Sequence, residues 1–234
     1  MKKIKYFAAF LILSSSIFTS CNIAGLDFQK DEKYDAQNVT NKIDMTVWEF
    51  INSRPDIFST LIEGIKYAGI EDLYKEPNNT YILLTNTALS DWEANSYCYW
   101  NRVKVTSTTS GRAAAWEQYS QTQVAELLRY HILKGEYSYF NLTSTPLWVK
   151  TKGNGTFEYT KDGQTLEGDT AVMALKVAMD RSLPLHLNNY AWNYRGVLDD
   201  TKSAVRTSNI HAKDGYIQVT DYYLERPTRT FMGY

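Results

Sequence analysis

Thr80-Tyr81-Ile82-Leu83-Leu84-Thr85-Asn86-Thr87-Ala88-Leu89 is the stretch on which the reading of the fold turns. Its first half, Thr80 to Leu84, is a short apolar run of the kind expected for a buried strand. Upstream of it the pattern is helical. Thr46 can cap a short helix bearing Val47, Trp48, Phe50 and Ile51. Pro55-Asp56 can start a second one, in which Phe58, Leu61, Ile62 and Ile65 follow the i, i+3, i+4, i+7 spacing of an amphipathic face, with Gly69 to end it. Downstream, Thr122 opens a further helix with Val124, Leu127, Leu128 and His131 on one side. Then the pattern changes. Leu147 to Thr151, Thr156 to Thr160, Val172 to Met179, Leu183 to Leu187, Ala204 to Ile210 and Tyr216 to Leu224 read as strands, punctuated by Gly153-Asn154-Gly155, Asp162-Gly163 and Asp214-Gly215. Thr170 could cap the third of these as a helix, but Met173, Leu175, Val177 and Met179 alternate as a strand does. Helices first and strands afterwards predict an α+β fold, with N-terminal helices packed on a mainly antiparallel sheet or sandwich.

The composition narrows the function. The chain has 234 residues, 44% of them hydrophobic, which is enough to bury a sizeable core. Twenty-five Lys and Arg against 26 Asp and Glu leave a net charge of -1, without the basic excess that binding to phosphate backbones needs, so no nucleic-acid partner is expected. Two Cys and three His, with no CxxC or HExxH spacing, supply no closed zinc site and no disulfide framework, and no metal or cofactor is expected. Aromatic residues, by contrast, are plentiful, with 18 Tyr and 6 Trp.

The N-terminus reads as an export signal. Lys2, Lys3 and Lys5 form a positive start, Phe7 to Leu13 an apolar stretch too short to span a bilayer, and Ser14 to Ser20 a small-residue approach to Cys21. Ile17-Phe18-Thr19-Ser20-Cys21 resembles the lipobox of bacterial lipoproteins, which implies that residues 1–20 are removed and that Cys21 becomes a lipidated N-terminus. Acyl chains contribute roughly 0.8 kcal/mol per buried CH₂, so such an anchor holds the chain on its membrane. The second reading is an ordinary signal peptide with an incidental Cys. Residues 21–43, rich in charge and poor in large apolar side chains, look like a tether. The expected location is the cell envelope, on the outer membrane of a Gram-negative cell, with the leaflet left open. Cys98, within Tyr97-Cys98-Tyr99-Trp100, is then the remaining thiol, to be read as a small buried side chain or as a reactive one.

Four stretches together resemble the fasciclin-like domain family. They are the helix pair Thr46 to Gly69; the strand-turn-helix stretch Thr80 to Leu89; Leu127-Leu128-Arg129-Tyr130-His131-Ile132-Leu133-Lys134-Gly135, similar to a Tyr-His pair followed by a Gly turn; and Asp214-Gly215-Tyr216-Ile217-Gln218-Val219-Thr220-Asp221 to Pro227, similar to the closing hairpin. Departures are Leu84-Thr85 where the family has Ala-Pro, Gln218 where it has His, and residues 93–121, which look like an insertion. The resemblance implies a fasciclin-like domain over residues 44–228, a short tail over 229–234, and a non-catalytic adhesion or protein-interaction role. Some animal members use the Tyr-His pair in receptor binding, which puts Tyr130 and His131 in view. Read from the residues alone, His131 lies on the apolar face of its helix as a neutral, bonded core imidazole, and Asp221 caps or pairs with the turn beneath it.

Enzymatic chemistry needs a nucleophile with its base, two carboxylates at a set separation, or an open metal, and none is visible as a motif; Asp199-Asp200 reads as solvated loop charge. Two aromatic clusters, Trp92, Tyr97, Tyr99, Trp100 and Tyr190, Trp192, Tyr194, form the candidate surface for a ligand or partner. Flat rings with a polar handle suit sugars, so a carbohydrate-binding accessory of a surface glycan-uptake system stands beside the protein-interaction reading. The same rings could instead be core.

Overall fold

The computed structural model describes residues 41–103, 112–154, 156–161, 164–169, 171–177, 185–188 and 204–224. The export signal, Cys21, the tether as far as residue 40 and the tail 229–234 lie outside the described residues. Helix α1 (Val47–Ser53) starts where the sequence places it. Its N-terminal donors are met twice over: Thr46 and Glu49 form a reciprocal capping box (Glu49 N–H to Thr46 Oγ1, 3.2 Å; Thr46 N–H to Glu49 Oε2, 2.8 Å), and the Val47 N–H reaches Asp214 Oδ1 at 2.8 Å. Helix α2 (Pro55–Ala68) carries its proline in the first turn and ends at Gly69, whose φ of 66° is left-handed. Strand β1 (Asn79–Leu84) is buried along its whole length and runs into the single turn α3 (Asn86–Leu89), which Thr85 caps. A second short turn, α4 (Tyr99–Arg102), precedes α5 (Gln121–Tyr130). Ser120, not Thr122, caps α5: its backbone is extended and its hydroxyl takes the Gln123 N–H at 3.2 Å, so Thr122 already sits inside the helix.

Among the described residues, nine strands form three sheets. In the first, the order is β2 (Ile132–Lys134), β1, β9 (Gly215–Thr220), β8 (Thr207–His211). In the second it is β3 (Leu147–Lys150), β6 (Val172–Lys176), β7 (His186–Leu187), and the third is the hairpin β4 (Thr156–Lys161) with β5 (Gln164–Asp169). The segment with two readings is therefore a strand at Val172–Lys176. Among the named strands every described pairing is antiparallel except one: β1 and β9 run parallel in unbroken register from Asn79 opposite Gly215 to Leu84 opposite Thr220, and the isolated bridge of Lys42 with His211 is also parallel. The sheets are thus mainly antiparallel, as expected, with one parallel pair of strands at the centre of the first. A strand apolar on both faces needs a neighbour on each edge and cover on each side, and β9 supplies the edge that β2 leaves open.

The cover comes from two cores. Tyr81, Leu83, Ile132, Ile217 and Val219 point into one with α1, α2 and α5, whereas Ile82 and Leu133 point into another with Val149, Met173, Leu175 and Leu187 of the second sheet. The four-stranded sheet is thus the middle layer, with helices on one face and the three-stranded sheet on the other, and the fold is α+β. One detail differs from the sequence reading and another adds to it. The tether was expected to run to residue 43, but Asn41 to Ile43 already joins the sheet edge beside β8, with Ile43 N–H to His211 O at 2.9 Å and His211 N–H to Asn41 O at 2.8 Å. Asp214-Gly215 closes the β8–β9 hairpin as the sequence predicts, with the Ala212 N–H donating to the Gly215 carbonyl at 2.9 Å, but the φ of Gly215 is not positive; what requires glycine there is the close approach of β1, because a Cβ would lie 2.2 Å from the Asn79 carbonyl oxygen.

Candidate functional site

The loop after α3 separates the first aromatic cluster into inward and outward residues. Asp91 and Asn95 fold it locally, Asp91 Oδ1 accepting the Ala94 N–H at 3.1 Å and Asn95 Oδ1 the Tyr97 N–H at 2.8 Å. Asn95 Nδ2 then donates to the Asp221 carbonyl at 2.9 Å, tying the loop to the end of β9. Cys98 and Tyr99 turn inward. Tyr99 packs against Trp116, Tyr119 and Tyr223 with ring centroids 5.9, 5.2 and 5.4 Å away, and burial pushes its hydroxyl up to about 12. Burial likewise pushes the Cys98 thiol up, away from the reactive thiolate. Trp116, from the segment read as an insertion, donates Nε1–H to the Thr60 carbonyl at 2.8 Å and lies against Gly64, so the described part of 93–121 contributes to the helix-side core.

Trp92 and Tyr97 face outward, 46% and 38% exposed. Each carries a guanidinium: the Arg112 Cζ sits 3.4 Å from the Trp92 ring centroid and the Arg102 Cζ 5.4 Å from that of Tyr97. Trp100 is half-buried between the two groups, edge-on to Trp116 at 5.6 Å, and its indole N–H is buried with no hydrogen-bond partner. Arg112 belongs to the same surface, because the next residue, Ala113, donates its N–H to the Trp100 carbonyl at 3.1 Å. The two arginines escaped the sequence reading. Nothing periodic marks them, and Arg112 meets Trp92 only through the fold. Tyr190, Trp192, Tyr194 and the pair Asp199-Asp200 lie outside the described residues.

The Tyr-His pair is interior. The Tyr130 hydroxyl donates to the Val172 carbonyl and accepts from Asn188 Nδ2, both at 3.0 Å, linking α5 to the second sheet. His131 Nδ1 lies 2.8 Å from the Leu127 carbonyl, and its Nε2 accepts the Leu224 N–H at 3.3 Å. The partners assign the proton to Nδ1 and leave Nε2 as acceptor, the neutral tautomer. Both side chains are only 1% exposed. Asp221 Oδ1 accepts from Thr85 Oγ1 at 2.7 Å and pairs with Arg206 at 3.3 Å, so it holds the ends of β1 and β9 together. Gln218 is buried, accepts the Asn209 N–H at 2.8 Å and donates to the Tyr137 carbonyl at 3.2 Å.

Among the described residues, no group of three or more His, Cys, Asp or Glu is placed to hold a metal ion, and no helix is long and apolar enough to cross a membrane. No family model and no curated protein matches the chain.

Proposed function

We propose that the chain is a membrane-anchored, extracytoplasmic adhesion or protein-interaction module of the fasciclin-like type, non-catalytic and held to the outer membrane of a Gram-negative envelope through lipid on Cys21. The observation that carries the interaction role is the Trp92–Arg112 and Tyr97–Arg102 pairs on the surface after α3. Trp, Tyr and Arg are the residues that dominate binding energy at protein interfaces, and stacking on a ring holds a guanidinium in place before a partner arrives. The fasciclin-like reading has a separate support. The four stretches that carry it are neighbours: β1 and β9 pair directly, β2 follows the Tyr-His pair on the other edge of β1, and the helix pair covers the same sheet.

The alternative, a carbohydrate-binding accessory, is less favoured by this surface. A sugar stacks on an open ring face, and the guanidinium of Arg112 already covers one face of Trp92. The test uses the full chain in its own membrane. A palmitate analogue should label the wild type and not Cys21→Ala. A photo-crosslinking amino acid at position 92 should then join the chain to a protein; conjugation to glycan, or to nothing, contradicts the interaction reading.

A further inference from the structure

The partner's chemistry can be read from the Trp92–Arg112 stack, an inference that rests on the interaction-module reading. A distance of 3.4 Å between the Arg112 Cζ and the ring centroid is van der Waals contact, which a guanidinium reaches only by lying flat on the indole. Its N–H groups then spread parallel to the ring, with water excluded from one side. Arg112 is exposed, and among the described residues no carboxylate pairs with it. A planar fork in this position suits a carboxylate arriving in its plane, which takes two parallel N–H bonds. The buried, unpartnered Trp100 N–H adds an unused donor on the same stretch of chain.

The surroundings limit what can bring that carboxylate. Asp91 and Glu93 flank Trp92, and their charges balance those of Arg102 and Arg112. Among the described residues here the charges offset one another, which favours recognition of one group by short-range geometry over attraction of a polyanion. The exposed rings beside it favour an apolar side chain next to the acid. We infer that Arg112, held on Trp92, receives a single Asp or Glu side chain from an extended segment of a protein partner, with an apolar residue beside that acid packing on Trp92 and Tyr97.

Selection of a random 12-residue peptide library on the full chain in detergent micelles, followed by fluorescence anisotropy of the recovered peptides, tests this. The recovered peptides should share an acid next to an apolar residue. Changing that acid to its amide should weaken binding about tenfold, as loss of a charge-assisted bidentate pair does. Arg112→Lys, which keeps the charge and loses the fork, should weaken it comparably, while Lys150→Ala leaves it unchanged. Unchanged melting temperatures confirm that the variants fold. Peptides without acids, binding indifferent to Arg112→Lys, or recovery of no peptide overturns the inference. If crosslinking from position 92 still captures a protein in that case, the interaction reading stands and only the carboxylate assignment fails.

Discussion

Gly215 and His131 mark the two ways in which a single residue constrains this fold. A Cβ on Gly215 would stand 2.2 Å from a backbone oxygen of β1, which no rotamer change relieves, so Gly215→Ala must push two hydrogen-bonded strands apart. The expected loss in denaturant unfolding is about 1–3 kcal/mol or more; a variant as stable as the wild type would mean that the strands do not approach in this way. His131 is the C-cap of α5 rather than a residue within it, and it is buried and held by bonds at both nitrogens, as the reading of a bonded core imidazole expects. Helical spacing predicts which face a residue occupies, so His131 was legible. The hairpin at Asp214-Gly215 was legible from its turn chemistry, but the second constraint on Gly215 was not, because it comes from Asn79, far away in sequence.

At the level of elements, the helices were legible because periodicity and caps are local. The start of α1 shows this in a titratable form. The backbone N–H of Thr46, and after it the Thr46 hydroxyl, hold the Glu49 carboxyl below its usual 4.5. A depressed value in the folded state stabilises the fold at pH above the unfolded value and is lost as pH falls through the folded one. An NMR titration of Glu49 should therefore give a midpoint below 4.5, and Thr46→Ala should move it back toward that value. A midpoint at or above 4.5 in the wild type would exclude the capping box in solution. The described strands were also largely legible, from apolar runs, alternation and turn residues, except β2 (Ile132–Lys134), too short to carry a pattern. Strand partners were not: β1 and β9 are far apart in sequence, and nothing in their side chains marks a parallel rather than an antiparallel neighbour.

For the whole molecule, the layers follow from β1 being buried on both faces, and the surface after α3 follows from what the layers leave outside. The sequence singled out Trp92, Tyr97, Tyr99 and Trp100 together, but composition cannot tell an inward ring from an outward one, and the fold sends Tyr99 to the core and Trp92 to the surface. The role proposed above for Trp92 is to serve a partner and not the fold. Denaturant unfolding of Trp92→Ala beside Trp116→Ala tests it most directly. Trp116 is buried and bonded to Thr60, so its truncation should cost about 3–5 kcal/mol, whereas Trp92→Ala should cost about 1 kcal/mol or less, the worth of an exposed cation–π contact. Losses of similar size in the two variants would place Trp92 in the core and contradict the claim.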